Sequence, residues 1–249
     1  MPRLSVIVIA KNEAANIGAC LDSVAFADEC IVVVDGGSAD GTAKIAAGKG
    51  ARVIEHAFDG FGAQKNFALA QAGGDWVLSI DADERVTAAL AAEIAQAMNE
   101  AKADGYEMPR LSSFCGRQMR HSGWYPDHVL RLFRRAKARF SDDRVHERVI
   151  CDGPVVRLRN DLLHAPVLRL EDALSRMDRY STANAAMTVA RRKRVSFSSG
   201  ITHGLWSFFR TYILRRGFLD GREGFLLAVA NAEGTYYRYM KAWLAGRDR

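Results

Sequence analysis

The chain has 249 residues, 49% of them apolar, and a formal net charge of +6. That suits one large α/β domain, or a domain with an appendage, with enough apolar surface for a sizeable core. The four cysteines, at 20, 30, 115 and 151, make no CxxC pair and no zinc-ligand spacing, so they read as reduced thiols of a cytosolic protein. No run of about 18 apolar residues is present, so no spanning helix is expected.

The first apolar run, LSVIVIA at 4–10, meets Lys11-Asn12-Glu13 too early for a signal peptide and reads as a strand. Helical spacing of Ile17, Leu21 and Val24 predicts a helix within 13–25. The same reading gives strands at 31–34, 51–55 and 75–80, with helices at 41–48 and 63–72 between them. Strands apolar on both faces, alternating with helices, predict a parallel sheet covered by helices. Thr87 is the expected N-cap of an Ala-rich helix over 87–103. Short strand-like pieces and turn signals fill 105–160, and from about 169 the chain reads as helical.

Parallel sheets bind ligands at the carboxyl ends of their strands. Three of those ends carry chemistry here: Lys11-Asn12-Glu13, Asp35-Gly36-Gly37-Ser38-Ala39-Asp40-Gly41-Thr42, and Asp81-Ala82-Asp83-Glu84. Carboxylates two residues apart, Asp81 and Asp83, can converge on Mg²⁺ or Mn²⁺, with a diphosphate completing the shell. The bare pattern also suits a capped turn. In the Gly-rich second loop an acid, Asp35, is set to hydrogen-bond a base, yet neither GxGxxG nor a P-loop is present. Lys65 opens a helix as a cation placed for a phosphate. His164, in LLHAP, is a candidate third ligand of metal or diphosphate.

The stretches VIVIAKNEAANIGACLDSV, IVVVDGGSADGT and GFGAQKNFALAQAGGDWVLSIDADE resemble the GT-A family 2 glycosyltransferases over about the first 90 residues. GWYPDHVLRLFRR, RVHERV, LLHAP and YILRRGFLDGREGFLLAVANAEGTYYRYMK extend the likeness to the bacterial lipopolysaccharide inner-core glucosyltransferase group. The resemblance implies an α/β fold: a mostly parallel sheet that binds a nucleotide-diphosphate sugar, flanking helices and a helical C-terminal extension. It divides the chain into a catalytic domain at 1–166 (a nucleotide-sugar half at 1–104 and an acceptor half at 105–166) and a basic extension at 167–249.

By position, Glu13 and Asp35 would contact the base and ribose, and Lys65 would lie near the base or diphosphate. Asp81 and Asp83 match the family's DxD pair, with Asp83 the direct metal ligand. Gly36 departs from the second Asp of many members. The implied reaction is inverting transfer of glucose from a UDP-sugar to a lipopolysaccharide core or other lipid-linked acceptor, with Mg²⁺ or Mn²⁺.

The family's usual Glu-Asp base pair is missing. Glu147 in Val145-His146-Glu147 is the favoured base, with Asp142-Asp143, and Asp143 above all, as the alternative. Trp124 and Asp127 suit an acceptor platform, and Arg131 a phosphate or acidic sugar. A sugar nucleotidyltransferase, a transferase acting on another cell-surface glycan, and a nucleic-acid binder are the rival readings. Acids at the strand ends argue against nucleic acid as a partner.

Charge is uneven. Residues 1–166 hold 20 Lys/Arg and 22 Asp/Glu, whereas 167–249 hold 15 and 7. Leu205, Phe208, Phe209, Tyr212 and Ile213 follow helical spacing, with Arg191-Arg192-Lys193-Arg194 upstream and Arg210, Arg215 and Arg216 beside them. That pattern predicts an interfacial helix on an anionic membrane, and with the resemblance a peripheral enzyme at the cytoplasmic face of the inner membrane.

Overall fold

The computed structural model describes residues 2–141, 147–167, 169–191 and 195–247. It divides into two compact units. The first comprises Met1–Arg110 and Asp127–His164, and the second Leu111–Pro126 and Ala165–Arg249. Residues 111–126 cluster with the second unit, together with the chain from Ala165 onward.

In the first unit the chain runs β1 (Leu4–Ala10), α1 (Ile17–Ser23), β2 (Glu29–Asp35), α2 (Thr42–Gly48), β3 (Arg52–His56), α3 (Phe61–Gln71), β4 (Trp76–Asp81), β5 (Glu84–Val86) and α4 (Ala88–Glu100). β1 pairs in parallel with β2 and with β4, and β2 pairs in parallel with β3. The resulting order β3-β2-β1-β4 sets three strand ends side by side at one edge.

Both faces of these strands are apolar because both are covered. Val6, Val8, Val32, Val34, Leu78 and Ile80 pack with Ile17, Leu21, Leu90 and Ile94 on one face. Ile7, Ile31, Val33 and Val77 pack with Ala68, Leu69, Phe133 and Phe140 on the other. Thr87 caps α4 as expected, its side chain accepting from the Leu90 N–H at 3.1 Å. Asp83 therefore caps nothing, because β5 intervenes.

Beyond α4 the sheet becomes mixed. Next come β6 (Gly105–Phe114), β7 (Arg117–Gln118), β8 (Asp127–Arg134), β9 (Ala138–Phe140), β10 (Val149–Cys151), β11 (Val155–Arg157) and β12 (Leu162–Val167). β8 lies antiparallel to β4, and β6 antiparallel to β8 through Gly105–Arg110. β12 pairs antiparallel with β5, bringing His164 opposite Glu84.

The second unit holds α5 (Leu170–Ala190), α6 (Phe197–Phe209), a π-helical turn (Arg210–Leu214), a 3-10 turn (Gly217–Asp220) and α7 (Gly221–Arg247). Residues 111–126 join it through an apolar cluster of Phe114, Met119 and Leu227. A carboxylate adds to that bond. Asp220, 2% exposed, accepts from the backbone N–H groups of Arg120 and His121, from His121 Nδ1 at 3.0 Å and from Ser122 Oγ at 2.9 Å.

Gly74, at the entry to β4, tests how tightly the parallel core is packed. A Cβ there would stand 2.7 Å from Ser5 Oγ and 2.8 Å from Arg3 O, the latter a backbone atom that cannot swing aside. Gly74→Ala should destabilise by about 1–3 kcal/mol, the range for overpacking. Gly48→Ala, on a helix with nothing within 4 Å of the new Cβ, should be neutral or stabilise by up to about 1 kcal/mol. Urea unfolding of both variants checks the pair.

Candidate active site

The loops after β1 and β2 are stitched together. Asn12 sits at φ 56°, and its Oδ1 accepts from the Ala39 N–H at 2.8 Å. The N–H groups of Ala14 and Glu13 donate to Asp40 Oδ2 and Thr42 Oγ1, at 2.9 and 2.8 Å. Asp40 also takes the Thr42 hydroxyl and its N–H, which hold the Asp40 carboxyl below its ordinary range.

This frame carries the two expected nucleotide-side acids. Asp35 accepts from Lys11 Nζ at 2.8 Å and from the Gly37 N–H at 2.8 Å. Those two donors hold its carboxyl below the usual range. Glu13 is half-buried; desolvation raises its proton affinity, although Asn16 donates to it at 2.9 Å. Lys11, named only as part of the strand-end triplet, has no role expected from the sequence. Its signal was topological: it follows β1, the strand beside β2, so it meets the acid that ends β2.

The Asp81–Glu84 turn is a buried charge network. Arg131, on β8 and 8% exposed, places Nη2 2.5 Å from Asp81 Oδ2 and 2.6 Å from Glu84 Oε1. Lys65, 4% exposed, places Nζ 3.0 Å from Asp81 Oδ1 and 2.9 Å from Glu147 Oε1. Burial alone would raise the Asp81 proton affinity; Arg131 and Lys65 outweigh it and hold the carboxyl well below the carboxylate range.

Glu84 is fully buried. It accepts the Asp81 N–H at 2.9 Å on Oε2, and Arg110 Nη1 at 3.4 Å on Oε1. Arg85 closes the turn, donating to the carbonyls of Ala82, Glu84 and Asn16. Glu84, the third acid of the run, and Arg110 were missed as members of the site.

The expected site residues thus separate. Lys65, Asp81, Arg131 and Glu147 line one cleft of about 430 Å³, with Arg110 and His128 on its wall. Arg131, expected on the acceptor, is instead buried, with Nη2 held between two carboxylates. Lys65, expected at the donor, bridges Asp81 and Glu147.

Asp83 has a different partner. His164 Nε2 lies 3.4 Å from its Oδ2, and both side chains are largely buried. Burial opposes ionisation of Asp83; His164 outweighs it and lowers the carboxyl. Asp127 pairs with Arg110 at 2.6 Å. Trp124 belongs to the second unit, where it packs edge-on against Phe114 with ring centres 5.9 Å apart. Asp142 and Asp143 lie outside the described residues. Among the described residues no three His, Cys, Asp or Glu side chains are gathered as a metal group.

Comparison with known proteins places this geometry in a family. The model of Glycosyl transferase family 2 matches residues 5–152, which include both stitched loops, the Asp81–Glu84 turn and Glu147. The chain is 33% identical to the lipopolysaccharide core biosynthesis glycosyltransferase LpsC of Rhizobium meliloti (strain 1021), covering 96% of this chain and 90% of that one. It is 28% identical to an uncharacterized glycosyltransferase of Rickettsia prowazekii (strain Madrid E), covering 97% and 87%. Among solved structures, glucosyl-3-phosphoglycerate synthase from Mycobacterium tuberculosis is similar over 45% of this chain and 44% of its own, at 26% identity and a TM-score of 0.38. Strand-end acids on a helix-flanked sheet, matched by that family's model over more than half the chain, lead to one assignment: the chain belongs to glycosyltransferase family 2, and it is a glycosyltransferase with a GT-A-like fold.

Proposed function

We propose that this glycosyltransferase moves glucose from a UDP-sugar to a lipopolysaccharide inner-core acceptor at the cytoplasmic face of the inner membrane, with inversion and with Mg²⁺ or Mn²⁺. The observation that carries the reading is the division of the strand-end acids. Both oxygens of Asp81 are held by cations, and Asp83 faces an imidazole. The acceptor class is supported by the Rhizobium meliloti relative, whose name places it in lipopolysaccharide core biosynthesis and whose match runs nearly the full length of both chains.

Asp83 and His164 offer a carboxylate oxygen and an imidazole nitrogen side by side, a donor set suited to Mn²⁺ or Mg²⁺ only if a diphosphate adds further oxygens. When bound there, the cation would neutralise charge on the departing UDP. Asp81 stays with Arg131 and Lys65 and fixes the turn that presents Asp83. Glu13 and Asp35 stand at the adjacent strand ends as acceptors for nucleoside hydroxyl and N–H groups.

Glu147 takes the proton of the acceptor hydroxyl. As it does so, the hydroxyl oxygen bonds to the anomeric carbon from the side opposite the diphosphate, and the bond to the diphosphate oxygen breaks. Lys65 holds Glu147 aimed into the cleft before the acceptor arrives. Trp124 and Asp127 remain acceptor-side candidates, and Asp143 the alternative base.

The direct assay is transfer from UDP-glucose to a lipopolysaccharide core oligosaccharide, with the anomeric configuration of the product read by NMR. Retained configuration would contradict inversion. Product formation with another surface glycan but none with core would move the acceptor.

Two variants probe the roles. Asp83→Ala should abolish Mn²⁺-dependent turnover while leaving the fold in place, and near wild-type turnover in that variant would remove Asp83 from the metal site. Glu147→Gln keeps the side-chain size but cannot take a proton. It should lower kcat by about 10²–10⁴-fold and leave UDP binding by calorimetry unchanged. Comparable kcat in Glu147→Gln, with collapse in Asp143→Asn, would transfer the role to Asp143.

A further inference from the structure

A helix on a water-soluble surface turns its large apolar side chains inward. Helix α6 and the π-helical turn after it do the reverse. Their inward line is Gly200, Gly204, Ser207 and Thr211, all buried. A Cβ on Gly200 would stand 2.5 Å from Met240 Cε, and one on Gly204 would stand 3.4 Å from the Ala232 carbonyl. Ser207 Oγ donates to the Asn231 carbonyl at 3.3 Å. Small and polar side chains therefore let α6 lie close against α7.

The outward line is the greasy one. Phe197, Ile201, Leu205, Phe209 and Ile213 recur every four residues and are 43–68% exposed, with Trp206 beside them at 54%. Phe218 and Leu219, in the turn that follows, are about half exposed as well. Phe208 and Tyr212, which belong to the same apolar run in sequence, are partly covered, packing edge-on against Phe225.

The sequence that carries this stripe has charge of one sign. Residues 191–219 hold seven Lys/Arg and no Asp or Glu. Arg191, Arg210, Arg215 and Arg216 are exposed; Arg192, Lys193 and Arg194 lie outside the described residues.

We propose that the outward face of α6 is a docking surface for an anionic lipid bilayer, on which the helix lies in the plane of the headgroups. The apolar stripe enters the acyl boundary, and the arginines meet lipid phosphates. Three features select a bilayer. Phe197–Leu214 would span about 27 Å at 1.5 Å per residue, and no helix among the described residues is long and apolar enough to cross a membrane, so the stripe suits lying on one rather than spanning it. A second copy would set the exposed Arg210, Arg215 and Arg216 of this segment against their like, so self-association through it is opposed by like charge. An anionic surface complements both the stripe and its flanks. This surface would also bring the enzyme to a lipid-anchored acceptor, and in that respect it rests on the proposed function.

Flotation of the full chain with vesicles, read without turnover, tests the surface and leaves the glycosyl-transfer reading standing if it fails. The protein should float with 3:1 phosphatidylethanolamine–phosphatidylglycerol vesicles at low salt, and much less with phosphatidylcholine alone. A triple variant, Leu205→Ser, Trp206→Ser and Phe209→Ser, should lose at least about tenfold in binding at any salt. Its circular dichroism and thermal transition should stay as in wild type, because all three side chains face solvent. Arg210→Gln with Arg216→Gln should lose about 25-fold at low salt, about fivefold per charge, and little at high salt. Should the triple variant misfold, Trp206 emission serves: a blue shift with anionic vesicles, absent in Trp206→Phe, supports docking. Wild-type protein left at the bottom of the gradient, a folded triple variant that floats equally well, or no change in Trp206 emission would overturn the proposal. So would a dimer by light scattering that the triple variant reduces to a monomer.

Discussion

One guanidinium holds the acidic turn after β4 together. Arg131 is buried on β8 with two carboxylates, Asp81 and Glu84, on its Nη2. A buried charge without a partner is costly, and removing one member of such a pair costs about 3–5 kcal/mol. The turn after β4 therefore has little freedom: Asp81 and Glu84 must both face Arg131, and the third acid, Asp83, is turned elsewhere. The Asp81 N–H on Glu84 and the three carbonyls on Arg85 fix the remaining backbone. An apolar strand can end in three acids because two are held by buried cations.

Two acids separated by one residue thus acquire different chemistry. Both Asp81 oxygens are already engaged, Oδ1 by Lys65 and Oδ2 by Arg131, so a metal ion would have to displace one of those donors to bind there. Asp83 faces His164, delivered from β12 by the antiparallel pairing with β5. Lys65 extends the arrangement to the far side of the cleft, since the ammonium that balances Asp81 also orients Glu147. A change at Lys65 would consequently reach both the turn and the proposed base.

The layout of the sheet was legible in the sequence because covered parallel strands are apolar on both faces, and few other elements are. LSVIVIA, IVVV and WVLSI all became strands, and Thr87 became the cap its position suggested. Strand-end chemistry followed from that layout. Partnership did not. Lys65 reads as a helix-opening cation placed for a phosphate, and nothing local says that it will meet Glu147, 82 positions away. Arg131 sits in an alternating strand where either face could have held it. Residues 111–126 look like part of the acceptor half, yet Phe114 and Met119 find their cluster at Leu227. In α6 the period of the apolar residues was readable but not its direction: a stripe at four-residue spacing looks the same whether it faces a core or solvent. Gly200, Gly204 and Ser207 on the opposite side were the available signal.

The most direct test of this account is equilibrium unfolding of Asp81→Asn beside Asp83→Asn, without donor or metal. Asp81→Asn leaves Arg131 and Lys65 each short of a charged partner in a buried site and should cost about 3–5 kcal/mol. Asp83→Asn gives up one longer contact, to a histidine, and keeps a polar side chain there, so it should cost about 1 kcal/mol. Equal losses, or a larger loss at Asp83, would contradict the division of the two acids on which the site is built.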